Sequence, residues 1–429
     1  MNEIIQSFRS DAGYREYISG VKAGGIPCVL SGMCDSARPF FVAAAAEDTG
    51  RKALVILPEE KDANAAADVL SACGRRAVVY PSRDFVFENV SAYSREYENR
   101  RLSALYTVLR GNYDVILTVP DALMQYTMPK SVFESNTFTL ARGGEADIGD
   151  ICKRLVSLGY TRSGIVEGVG QFAVRGGIVD VFTPQLDDPV RIDFFGTEID
   201  LIGRFDIVSQ RRSENLESVD IIPCRELTAS GSALADVGRE LDRLIASFHG
   251  EEKRRASLAA EREAISNGER GVFTDRFFSL IYPQSENLLK HMPDPAVFVF
   301  DSKRVAERAR GFELANRGIT ESLAQAGMCS LKYCRPFCTT EQLFASLGSN
   351  TTAVDPFSGS GTLVGACAEY EIRANAVARL TEKTDLFIGD IEDYIAEGRQ
   401  ILVSCCGAPA ARAMSDLLSD HGIPSYRSA

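Results

Sequence analysis

A chain of 429 residues is longer than one ordinary domain and implies two to four. Its 45% hydrophobic and 25% charged residues are globular values that exclude extensive disorder, and no apolar run has the length of a membrane span. A formal net charge of −12 disfavours non-specific attraction to duplex DNA, where cations neutralising phosphate supply most of the affinity, and suits a basic protein partner better.

The amino terminus, MNEIIQSFRSDAG, lacks a basic stretch followed by an apolar one, so no export signal is read and a cytoplasmic location is expected. The 11 cysteines are scattered and read as reduced thiols. Cys329, Cys334 and Cys338 lie near one another, but no fourth ligand follows at zinc spacing and the chain has only 3 histidines, so no metal is expected.

Residues 1–25 read as helical up to Gly24-Gly25. A short apolar strand at 26–30, an alanine-rich helix at 40–48, a strand at 53–57, a helix at 62–73 and a strand at 77–80 follow. A helix at 99–109 and a strand at 113–119 extend the alternation, which implies a parallel sheet of βαβ units. The first strand-to-helix junction is where a phosphate-binding G-x-x-x-x-G-K-[ST] loop would lie. The same frame here reads Gly32-Met33-Cys34-Asp35-Ser36-Ala37-Arg38-Pro39. Ala37 gives up the easy positive φ of glycine, Arg38 replaces lysine, Pro39 brings neither hydroxyl nor amide donor, and Asp35 adds a negative charge. Together these changes predict that the frame does not bind nucleotide.

Residues 131–142 leave this sheet, a helix is expected at 148–158, and strands begin after Gly159-Tyr160. In GQFAVRGGIVDVFTP the residues alternate as in half-buried strands, and Gly176-Gly177 permits a bend. In VRIDFF, Val190, Ile192 and Phe194 share one face while Arg191, Asp193 and Phe195 share the other. An arginine and a phenylalanine facing water together are typical of interfaces. The plainer alternative has Arg191 pairing with Asp193 or Glu198 across a hairpin and Phe195 capping a small second core.

GQFAVRGGIVDVFTP, VRIDFF, GTEID and FDIVSQR occur in one segment and in one order, and they resemble the second domain of bacterial transcription-repair coupling factors. The excision-repair protein UvrB carries a related module. The resemblance implies that this domain binds the damage-recognition ATPase UvrA, with Arg175, Arg191 and Phe195 at the matching positions and Arg204 a weaker candidate.

The insert is expected to end near Ile221-Ile222-Pro223, and the scaffold to resume with charged helices at 233–246 and 250–266. The apolar strand at 296–300 ends at Asp301, where a Walker B aspartate would stand. Ser302-Lys303-Arg304 follow it, so the glutamate that would position an attacking water is absent. A linker is expected at 324–336. Residues 354–362 (VDPFSGSGT) resemble the glycine-rich element of DNA amino-methyltransferases, but no [DNS]-P-P-[FY] partner motif exists, and a Ser/Gly-rich turn explains them more simply. The tail reads as a helix at 385–398, a buried strand at 400–405 and a helix at 408–418.

The expected fold is α/β: a degenerate RecA-like parallel-sheet domain of P-loop NTPase type (1–135 and 225–323) with an inserted α+β UvrA-binding domain (136–224), followed by a small α/β domain (337–429). The resemblance further implies a non-catalytic adaptor without cofactor, cut from a longer protein. The RNA polymerase-binding, DNA-translocating and ATP- and magnesium-using modules of such a protein would lie beyond this chain. The alternative is a UvrB-like, DNA-dependent ATPase.

Overall fold

The computed structural model describes residues 2–88, 94–228, 231–267, 275–356, 365–376, 384–403, 405 and 407–426. Four strands open the chain: β1 (Cys28–Met33), β2 (Ala53–Ile56), β3 (Ala77–Tyr80) and β4 (Val115–Thr118). Eight belong to the insert: β5 (Phe138–Ala141), β6 (Thr161–Arg162), β7 (Gln171–Arg175), β8 (Ile178–Val181), β9 (Val190–Phe195), β10 (Glu198–Phe205), β11 (Arg212–Leu216) and β12 (Ser218–Ile221). Three return to the first sheet: β13 (Ala296–Phe300), β14 (Thr351–Val354) and β15 (Ala368–Ala374).

The first sheet has seven strands in the order β15-β1-β14-β13-β2-β4-β3, every neighbouring pair parallel. Its inner strands are near-continuous apolar runs because helices cover both faces. Strand periodicity divides them between two cores: Leu54, Ile56, Val297 and Val299 face one, and Ala53, Val55, Phe298 and Phe300 face the other. The helices Glu96–Leu109 and Ser302–Gln325 pack on the first face, and Arg38–Thr49 and Glu60–Ala72 on the second. Ala12–Lys22 also lies on the second face, started by the Asp11 carboxylate accepting the Tyr14 amide at 2.9 Å.

Two expectations about the second half need correction. Residues 324–336 are not a free linker: the preceding helix runs to Gln325, and the Pro336 carbonyl then accepts the Tyr126 amide while the Cys338 amide reaches the Met124 carbonyl. Nor does a separate domain begin at 337. Buried β14 and the strand β15 flank β1 on its two sides and complete the first sheet, and the compact unit extends to Ala374. The threonines of TTAV hide this strand from a hydropathy reading. Residues 357–364, most of the methyltransferase-like stretch, lie outside the described residues.

The second unit, 375–429, contains the helices Thr384–Ala396 and Gly407–Asp420, joined by a small core of Ile388, Ile391, Leu418 and Ile423. The strand expected at 400–405 is not formed among the described residues, and Ile401 and Leu402 are exposed instead of buried. Among the described residues no helix is long and apolar enough to cross a membrane.

The insert is built on a six-stranded sheet, order β11-β10-β9-β8-β7-β6, antiparallel except for the β6–β7 pair. The helix Ile148–Ser157, capped by Asp147, buries Ile151 and Leu155 against Phe172, Val190, Ile192 and Ile202 on one face. The other face carries only a small core of Val166, Ala173, Phe182 and Phe205. A two-stranded antiparallel ribbon, β5 with β12, joins the insert to the scaffold.

Candidate functional site

The half-open face of the inserted sheet is where the sequence places the candidate site residues. Register puts Ala173 opposite Asp180 and Asp180 opposite Arg191, while Ile178 stands between Arg175 and Asp193. Arg175, Asp180, Arg191, Asp193 and Phe195 therefore share this face. Phe195 is 82% exposed, at the tip of the β9–β10 hairpin, where Gly196 takes φ 66° and makes the tight reversal possible. A large aromatic left this bare loses the 1.5–3 kcal/mol or so that burial brings, so folding does not account for its position.

Asp180 is the hub of the face. It is buried, and its Oδ1 accepts Arg191 Nε at 2.7 Å while its Oδ2 accepts Arg191 Nη2 at 2.9 Å and Arg175 Nη2 at 2.6 Å. The hydrogen bonds to the Asp180 carboxylate hold the Arg191 guanidinium charged, above its ordinary pKa. The Arg191 guanidinium also lies 4.4 Å from the Phe205 ring centroid and donates through Nη1 and Nη2 to the Gln210 carbonyl and Oε1, both at 3.1 Å. Its side chain is only 15% exposed, against 45% for Arg175.

These positions decide between the readings of the sequence. Arg191 does pair with an aspartate, but with Asp180 of the neighbouring strand, not with Asp193 or Glu198; Asp193 pairs with Arg212. A small second core exists, and Phe205 fills it, not Phe195. Arg204 stands opposite Val190, on the face that packs against the helix, and pairs with Glu214 at 3.3 Å. The structure thus brings Arg175, Arg191 and Phe195 together and leaves Arg204 out. Sequence reasoning missed Asp180, Gln210 and Arg212. A lone aspartate in the apolar run IVDV, on the Arg191 side of the alternation, was the available signal for the first.

The nucleotide-like frame has a different geometry from a phosphate cradle. Gly32 and Met33 lie inside β1, and the Cys34 amide donates to the Ala374 carbonyl of β15 at 2.8 Å. The Ala37 amide is taken by the Cys34 carbonyl and the Arg38 amide by the Asp35 carbonyl. Three backbone donors of the frame, the Cys34, Ala37 and Arg38 amides, are thus already paired. Arg38 is buried, its Nη1 2.9 Å from Asp35 and its guanidinium 5.6 Å from the centre of the Phe300 ring; the Ser36 hydroxyl lies beside the Cys34 thiol, and Pro39 is inside the helix. Asp301 adopts φ 56° and its carboxylate faces Arg304, which also pairs with Glu59. The helix it precedes is capped from elsewhere: buried Asp355 accepts the Ser302 amide and hydroxyl, both at 2.7 Å. The aspartate of the methyltransferase-like VDPF is therefore a helix cap. The three cysteines do not converge: Cys329 and Cys334 pack with Phe87, while Cys338 belongs to the main core.

Residues 138–227 match the family model of the UvrB interaction domain, from the first residue of β5 to just past Glu226. The transcription-repair-coupling factor of Bacillus subtilis (strain 168) is 26% identical over 307 residues, which is 69% of this chain and 26% of that protein. The protein of the same name from Staphylococcus aureus (strain MRSA252) is 31% identical over 162 residues, 38% of this chain and 14% of that protein. In this region the chain is similar to the transcription-repair coupling factors. It spans about a quarter, or less, of the length of these relatives.

The segment matching the UvrB interaction domain is fixed to its scaffold by buried charge. Glu226, just beyond the insert's last strand, accepts Arg83 Nε at 2.6 Å, Arg101 Nε at 2.7 Å and Thr127 Oγ1 at 3.0 Å. Asp275 takes the other edge of Arg83 at 2.9 and 2.7 Å. Burial pushes the Glu226 pKa up, but the charges of Arg101 and Arg83 outweigh it and hold the carboxyl below its usual range. One step back along the chain, Asp220 accepts the Tyr106 hydroxyl and pairs with Arg110.

Proposed function

We propose that this chain is a non-catalytic adaptor that recruits UvrA through the half-open face of its UvrB interaction domain. The observation that carries the reading is Phe195, a bare aromatic beside Arg175 and Arg191 on a sheet face whose polar groups are otherwise tied down. Such a surface is pre-organised, so binding does not have to order it. The acidic chain as a whole then presents cations and an aromatic at the point of contact. In the longer protein, the adaptor would bring UvrA to sites where RNA polymerase has stalled, while DNA translocation with ATP and magnesium belongs to modules outside this chain. The paired Cys34, Ala37 and Arg38 amides and the Asp35–Arg38 pair support the absence of nucleotide chemistry here.

Calorimetric titration of the full chain with UvrA tests the reading. Micromolar or tighter binding without nucleotide is expected, with Phe195→Ala weakening it tenfold or more while leaving the melting temperature unchanged. Binding by neither form, or equal binding by both, overturns it. A phosphate-release assay with duplex DNA tests the alternative UvrB-like ATPase: turnover above background would restore it.

A further inference from the structure

The turn between β10 and β11 is built more firmly than a solvent loop requires. Asp206 accepts the Ser209 amide at 2.7 Å through its carboxylate and the Gln210 amide at 2.8 Å through its carbonyl. The Gln210 side chain donates back to the Ile207 carbonyl at 2.8 Å, and Ile207 packs against the small second core. Gln210 itself adopts φ 57°, a left-handed conformation that costs free energy for a residue with a Cβ. The two hydrogen bonds from Arg191 to its carbonyl and Oε1 compensate. What this arrangement displays is Val208, 92% exposed. A single exposed valine is unremarkable by itself. Here it tops a turn held by five hydrogen bonds and a strained residue, and those bonds reach the arginine at the centre of the proposed docking face.

We infer that the 206–211 turn is a second contact for the same partner, docking Val208 into an apolar pocket, and that Arg191 is a positioning residue for it. This rests on the UvrA-recruitment reading. Arg191 is mostly covered, and its donors are committed to Asp180 and Gln210, so it has little left to offer a partner directly. Phe195 lies four residue steps along the strand from Arg191, roughly 13 Å, so a single interface of about 800 Å² per partner covers both Phe195 and the turn. UvrA would meet two apolar anchors, with the exposed edge of Arg175 on the same face.

The test is a double-mutant cycle on the full chain titrated with UvrA, with Phe195→Ala as reference. Val208→Asp is expected to weaken binding tenfold or more without changing the melting temperature; Val208→Ser should do so by about threefold and serves if the aspartate variant misfolds. Arg191→Met should weaken binding by a similar factor, and adding Val208→Asp to it should cost little more, because the turn is already released. If Phe195→Ala weakens binding but Val208→Asp stays within twofold, the second contact is refuted and the docking face stands. If the Arg191 and Val208 losses multiply, Arg191 touches the partner directly and its positioning role is refuted. If Phe195→Ala also has no effect, the recruitment reading itself fails.

Discussion

Replacing Glu226 by glutamine tests whether the buried charge cluster is integral to the fold. Three donors converge on this carboxylate, the Nε atoms of Arg83 and Arg101 and the hydroxyl of Thr127. Glutamine offers one oxygen and places an NH₂ group against the remaining donors. Arg83 keeps Asp275 as counter-charge, but Arg101, fully buried, is left with neutral acceptors: the Pro81 carbonyl at 3.0 Å and Gln125 Oε1 at 3.0 Å. Breaking a buried pair in this way costs about 3–5 kcal/mol, because a desolvated cation loses its compensation. With an m-value of roughly 3 kcal/mol/M, the urea midpoint should fall by about 1 M or more. The exposed pair Lys153–Asp150 is the control, and Lys153→Gln should change stability by less than about 0.5 kcal/mol. A Glu226→Gln loss no larger than that control, followed by circular dichroism, would refute the assignment of the cluster as a structural clamp.

Other consequences are equally open to measurement. His291 is buried, and burial, working against the attraction of Glu286, pushes its pKa down from 6.5 to about 4. The unfolded chain therefore takes up this proton first, and stability should be constant above pH 6.5 and fall by about 3 kcal/mol as the pH drops to 4. Denaturation curves of His291→Leu should lack that portion of the slope, and identical pH profiles would contradict it. Gly13 lies where the helix Ala12–Lys22 crosses β15, and a Cβ there would meet the Glu371 carbonyl oxygen at 2.1 Å. Gly13→Ala should cost about 1–3 kcal/mol by overpacking, and an unchanged melting temperature would show that the helix can shift. Asp180→Asn leaves Arg191 and Arg175 facing a neutral acceptor; the domain should lose about 1–3 kcal/mol, read by hydrogen exchange across β7–β9.

The parallel sheet was legible because β2, β4 and β13 are short apolar runs separated by helical patterns, and the insert because its strands alternate cleanly. What escaped has identifiable causes. TTAV is polar by composition yet fully buried, since each threonine hydroxyl finds a partner: Thr351 reaches the Leu347 carbonyl and Thr352 meets Tyr17. The reach of the first unit to Ala374 was hidden for that reason. Residues 400–405 are apolar enough to suggest a strand, but no partner strand is present among the described residues of that unit. At the candidate site, alternation correctly paired Arg191 with Phe195, but it is silent on register. Only the three-dimensional pairing shows that Arg175 meets the same aspartate and that the bulge between Ile199 and Leu201 sets Arg204 opposite Val190, on the other face.

The ribbon of β5 and β12 gives the inserted domain an unusual mechanical character. Entry and exit strands run side by side; Asp220 within the exit strand and Glu226 just beyond it are clamped by Tyr106, Arg110, Arg83 and Arg101. A module hung on two parallel flexible strings would swivel; this one is a bracket. Cargo held on its outer surface keeps a fixed bearing to the seven-stranded body, and a pull on that cargo is shared by two strands anchored side by side at the same end.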